Sequence, residues 1–147
     1  MLNDLYSEQL LDAAADMPAR TDMPDADAIA RKVSKVCGSD VEVALKVADG
    51  VVRDIALDVK ACALGQASSS LLAKSIRGAS TAEVRQLRAD MIAMLKEGAA
   101  PPAGERWAEM AKLEPIRDYP ARHASTLLVF DAVVACLDQI EAAEQGA

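Results

Sequence analysis

The sequence predicts an α+β domain, because its strand signals crowd into one early stretch and most of the chain downstream repeats at helical spacing. Two alternating apolar runs, Val41, Val43, Leu45, Val47 and Val51, Ile55, Leu57, Val59, flank Asp49-Gly50, a dipeptide that favours a hairpin turn. Downstream, Val84, Leu87, Met91, Met94 and Leu95 share one helical face, and Leu127, Val133, Val134, Leu137 and Ile140 share another. A length of 147 residues with 52% hydrophobic positions fits one domain, 1–147, with a core of its own.

Taken in order, Leu2, Leu5, Tyr6, Leu10 and Ala13 predict an amphipathic helix ended by Pro18. Pro18 and Pro24, with Asp22, Asp25 and Asp27, then mark an acidic connecting loop. Ile29 to Val36 suits helix or strand; its β-branched content with Lys32 and Lys35 favours an edge strand. Beyond the hairpin, Leu64, Ala67, Leu71 and Ile76 predict a helix that ends at Gly78. Ser80-Thr81-Ala82-Glu83 has capping-box spacing and opens a helix closed by Gly98. Ala99 to Gly104, with Pro101-Pro102, reads as a linker, after which Trp107, Met110, Ala111 and Leu113 predict a short helix closed by Pro115, with Trp107 as its packing anchor. The last helix begins after His123-Ala124-Ser125 and carries Cys136 on its buried face.

Two registers are open to the hairpin. A two-residue type I′ loop pairs 48 with 51, sets Val43 and Val41 against Ala56 and Asp58, and faces Cys37 with Cys62. A three-residue loop with Gly50 left-handed pairs Val47 with Val51, Val43 with Ile55 and Val41 with Leu57. This second register is preferred, because a one-residue slip turns a whole apolar set to water. Either brings Cys37 and Cys62 together, since facing Cβ atoms lie roughly 5 Å apart. Cys62 also opens the next helix, where backbone amides and the dipole favour a thiolate, the form that binds metal or carries sulfur. Two ordinary core cysteines would show the same spacing. Cys136 lies about 18 Å along its helix from Ala124 and belongs to the core.

The formal net charge of −7 and 3% aromatic content exclude the basic, ring-lined surface that nucleic acid requires. No apolar run is long enough to span a membrane, and no basic segment precedes an apolar one at the start, so reduced thiols and a cytoplasmic location are expected. There is no phosphate-binding glycine loop and no Ser-His-Asp arrangement.

In the order and spacing of its pieces the chain resembles the iron-sulfur cluster assembly scaffold family of the IscU, NifU N-terminal and SufU type. The pieces are Asp4-Leu5-Tyr6, Cys37-Gly38 before a strand, Asp49-Gly50-Val51-Val52-Arg53-Asp54, Cys62 with Gln66-Ala67-Ser68-Ser69-Ser70 after it, and His123-Ala124-Ser125. The resemblance implies a small three-stranded antiparallel sheet covered by helices, with three cysteines and an aspartate gathered at one end. Such a site holds a nascent iron-sulfur cluster, or zinc in its place. It receives sulfur from a cysteine desulfurase and passes the product to carriers or apo iron-sulfur proteins, as a scaffold rather than an enzyme.

Two departures fall in that site. The family aspartate position holds Ser39, with Asp40 on the other strand face, and the third family cysteine falls on Ala124. The proline-rich chaperone-binding segment of the IscU branch is replaced by Asp118-Tyr119-Pro120-Ala121-Arg122. The remaining candidates are Cys37, Cys62, His123 and Asp40. Zinc would accept two sulfurs, one imidazole and water or a carboxylate. Clusters usually take cysteine, although imidazole can replace thiolate on one iron, and a homodimer would supply four thiolates from two chains. His123 as a helix-start residue bonded to backbone is the competing reading. Two further functions compete with the scaffold: a zinc-dependent sulfur acceptor, that is a sulfurtransferase serving the desulfurase, and a paralogue that keeps only partner binding.

Overall fold

A computed structural model describes residues 8–15, 23–35 and 38–145. The expected end of the first helix at Pro18, the Asp4-Leu5-Tyr6 triplet, and Val36 and Cys37 lie outside the described residues. Helix α1, Glu8–Ala15, buries Leu10 and Ala13 as its periodicity predicts.

Three strands, β1 (Ala28–Val33), β2 (Asp40–Ala48) and β3 (Val51–Lys60), form an antiparallel sheet in the order β1-β2-β3. The edge strand expected over 29–36 is therefore present, but it buries Ala28 and Ala30, whereas Ile29 and Val33 are 52% and 54% exposed. The cause is the last helix, α4 (His123–Gln145), which packs on β1 and β2. Its Gln139 Nε2 donates to the Ile29 carbonyl at 2.9 Å.

Neither predicted hairpin register holds along the whole ladder. Asp49 and Gly50 are both left-handed, with φ of 56° and 72°, and make the two-residue loop, so Ala48 pairs with Val51 and Val47 with Val52. The register then shifts between Lys46 and Val47, which leaves Arg53 as the extra residue of a bulge. Beyond it Leu45 pairs with Ile55, Val43 with Leu57 and Val41 with Val59. The preferred three-residue loop is thus corrected. Its premise, that odd-numbered apolar residues face one another, is met by a bulge instead of a longer turn.

Helix α2, Ala63–Ser75, lies against β3, α1 and α4, and almost every residue from Leu64 to Ala73 is buried. Three consecutive serines in that stretch would be costly without partners. Ser68 and Ser69 Oγ both donate to the Gly65 carbonyl, at 3.1 and 2.7 Å. Past its end, Arg106 Nη1 donates to the Ser75 and Arg77 carbonyls, at 3.2 and 2.8 Å, and so covers acceptors that the helix leaves open. Helix α3, Thr81–Glu97, starts on the expected capping box of Ser80 and Glu83 and stops at left-handed Gly98.

The short helix expected to close at Pro115 is instead a run of 3₁₀ turns over Glu105–Asp118 with Pro115 inside it. Trp107, Met110, Leu113 and Ile116 are buried at every third residue, the repeat of a 3₁₀ helix, and Trp107 packs in the core as expected. One main core lies between the inner sheet face and the helices, while Met23 covers Ala44 and Ala56 on the outer face. No described helix is long and apolar enough to cross a membrane.

Cys136 is fully buried, donates to the Val43 carbonyl at 3.3 Å, and has its thiol pushed up by burial from 9.0 to about 12. The unfolded thiol ionises first as pH rises, so the stability this group contributes is complete below pH 9 and is lost between 9 and 12. From pH 8 to pH 10 the wild type should therefore lose about 1 kcal/mol more than Cys136→Ala. Urea unfolding of both proteins at the two pH values measures the difference.

Candidate functional site

The site is built at the joint between β3 and α2. Strand β3 ends at Lys60, and Cys62 takes the N-cap position of α2 in an extended conformation, with φ −67° and ψ 174°. Gln66 Nε2 donates back to the Ala61 carbonyl at 2.9 Å and ties the joint together. At Gly65 a Cβ would come 2.7 Å from Ala61 Cβ and 3.4 Å from the Ser125 carbonyl oxygen. Glycine is therefore what lets Ala61 fold back on the first turn of α2, and the first turn of α4 lies beside it at ordinary contact distance.

The first turn of α4 also receives the Cys62 thiol. Cys62 is half-buried and makes no side-chain bond to the helix amides, which is where its position in the sequence would put it. Its Sγ donates instead to Ser125 Oγ at 3.8 Å, and Ser125 Oγ donates to the Arg122 carbonyl at 3.2 Å. Ser125 itself is only 1% exposed. No local pattern marks this contact, because 63 residues separate its two ends.

Of the other candidates, His123 is buried, with Nε2 3.1 Å from both the Ile116 and Arg117 carbonyls. Nε2 is therefore the N–H donor, and in the neutral ring Nδ1 keeps the lone pair. Ala124, where the resemblance places a third cysteine, is exposed and offers no donor atom.

Asp40 shares the outer sheet face with Glu42, Asp58 and Lys60, and with Arg31 these residues line a cleft of about 160 Å³. Arg31 Nε donates to Asp40 Oδ1 at 2.7 Å and Arg31 Nη2 pairs with Oδ2. The guanidinium holds the Asp40 carboxyl below the usual carboxylate range. Asp40 thus points to the outer face, while Cys62 packs against the main core on the inner side. Ser39 is buried.

Among the described residues no group of three or more His, Cys, Asp or Glu converges on a point where a metal ion would sit. Cys62, His123 and Asp40 thus do not make a closed metal centre of the kind that holds structural zinc. Cys37 lies outside the described residues. Among the described residues the arrangement offers one accessible soft donor at a helix start, with a buried hydroxyl beside it.

The family model described as NifU-like N terminal domain matches residues 5–126, a span that runs from before α1 to just past Ser125. The chain belongs to the NifU-like N-terminal family. A crystal structure of a nitrogen-fixing NifU-like protein (N-terminal) from Brucella abortus is 52% identical, superposes with a TM-score of 0.91, and is matched over 95% of this chain and 96% of that one. The iron-sulfur cluster assembly scaffold protein IscU of Thermotoga maritima is 29% identical over 141 residues, covering 92% of this chain and 94% of the relative. A putative iron-sulfur cluster assembly scaffold protein for the SUF system from Fervidobacterium islandicum AW-1 shares the fold, with a TM-score of 0.82 at 18% identity over 92% of this chain and 98% of that one. This NifU-like chain thus has the α+β class and three-stranded antiparallel sheet that the resemblance implied.

Gly65→Ala tests how the joint positions Cys62. The added methyl must displace Ala61, the neighbour of Cys62, and overpacking of this kind costs about 1 to 3 kcal/mol. The variant should unfold at lower urea than the wild type, and a crystal structure should show Cys62 Sγ farther than 3.8 Å from Ser125 Oγ.

Proposed function

We propose that this protein is an iron-sulfur cluster assembly scaffold, which takes a cluster or its iron as cargo on the thiolates of Cys37 and Cys62 and hands it to apo iron-sulfur proteins or carriers. The observation that carries the reading is the Cys62 thiol, half-exposed at the start of α2 and left uncommitted by the helix cap, in a chain of the NifU-like family. The names of its relatives support it.

Sulfur would come from a cysteine desulfurase, whose product an accessible thiolate can accept. The protein's own part is to hold and release cargo, not to turn over a substrate. His123 enters this reading through Nδ1 alone, because Nε2 is held by two carbonyls. Asp40 takes no part while Arg31 holds it on the outer face. With Ser39 at the family aspartate position and Ala124 at the third cysteine position, one chain offers few strong donors, which suits a cargo that must leave, and a homodimer would supply four thiolates. Thiols that must stay reduced fit a cytoplasmic setting.

The test is metal and acid-labile sulfide content with a visible spectrum, on protein purified without oxygen and again after reconstitution with iron, sulfide and a desulfurase. Cys62→Ser should lose the cofactor entirely, and Cys136→Ser should retain it, since Cys136 is sealed in the core. Zinc without sulfide would replace the scaffold by a zinc-dependent sulfur acceptor. Neither metal under any condition would leave partner binding alone.

A further inference from the structure

Cys62 and Ser125 meet where the start of α2 lies against the first turn of α4. A hydroxyl carries one proton and can accept on its oxygen. In the structure both capacities are used in sequence: the Cys62 S–H donates to Ser125 Oγ, and Ser125 Oγ–H donates to the Arg122 carbonyl. A sulfur that binds a cation has no proton left to give, so the first link of this relay must break on loading. The contact then survives only if Ser125 turns its proton onto the sulfur.

A second observation makes that turn inexpensive. Thr126 Oγ1 also donates to the Arg122 carbonyl, at 2.9 Å, so this acceptor stays satisfied when Ser125 leaves it. With Ser125 only 1% exposed, water does not compete for its hydroxyl. We infer that Ser125 is the positioning residue of the Cys62 site: its hydroxyl accepts from the empty thiol and donates to the sulfur once Cys62 holds a cation. The inference rests on the scaffold reading for its second half only.

Two readouts test it on the full chain. In the metal-free protein, the Raman S–H stretch of Cys62, assigned by its absence in Cys62→Ser, should rise in frequency in Ser125→Ala, because the hydrogen bond to oxygen is gone. With Co²⁺ as the probe cation, Ser125→Ala should bind about tenfold more weakly, the usual effect of losing a hydrogen-bond partner behind a ligand. Its thiolate-to-cobalt charge-transfer band should move to lower energy, because an unbonded sulfur lone pair is less stabilised. Ser125→Thr, which keeps the hydroxyl, should restore all three. A Ser125→Ala protein with native circular dichroism and an unchanged S–H frequency overturns the inference, as does one whose cobalt affinity and band match the wild type. Cobalt binding that does not depend on Cys62 would sink the scaffold reading and the loaded half of the inference, while a shifted S–H band would still uphold the resting hydrogen bond.

Discussion

The burial of α2 on nearly every side is the constraint on which the rest of the structure depends. A helix with one apolar stripe can lie on a surface, but a helix surrounded by β3, α1 and α4 must keep its side chains small where its neighbours come close. Gly65, Ala67, Ser68, Ser69 and Ser70 meet that demand, and the two hydroxyls that reach back to the Gly65 carbonyl remove the penalty of burying them. Arg106 does the same for the far end of the helix from outside, and the 3₁₀ run that carries it is thereby fastened to α2.

This constraint sets the character of the thiol site. Glycine at the start of α2 makes room for Ala61, the helix lies in contact with α4, and the Cys62 sulfur takes a protein hydroxyl as its partner in place of the helix amides. The charged residues of the sheet point the other way. Asp40 and Arg31 neutralise one another on the outer face, beside Glu42, Asp58 and Lys60, whereas Cys62 packs against the core on the inner side. The protein thus keeps hard oxygen donors and the soft sulfur donor on different sides of one sheet.

Much of this was legible in the sequence where the cause is local. The capping box at Ser80, the stop at Gly98, the edge strand before the hairpin and the helix that Cys62 opens depend on neighbours within a turn or two. The hairpin register was legible in parity but not in detail. Period-two burial demands that odd residues face odd ones, yet it does not say whether a longer turn or a bulge at Arg53 will supply the offset. The 3₁₀ run was written in the spacing 107, 110, 113, 116, which a search for 3.6-residue periods passes over. That His123 would bond to backbone was among the readings, but which carbonyls hold it depends on the turns of the 3₁₀ run just before it. The Ser125 contact was not legible, because 63 residues separate its ends.

The bond from Gln139 to the Ile29 carbonyl joins groups 110 residues apart, and the bond from Cys136 to the Val43 carbonyl joins groups 93 apart. Strands β1 and β2 are among the first parts of this fold to be synthesised, yet the helix that covers them is the last. Until α4 emerges, Ala30, Val43 and Leu45 lack the helix that packs on their strands, and the β1–β2 part of the inner face waits uncovered. The nascent chain is therefore expected to be most prone to aggregate before α4 has been made, and a truncation before residue 123 should release a sheet that cannot close.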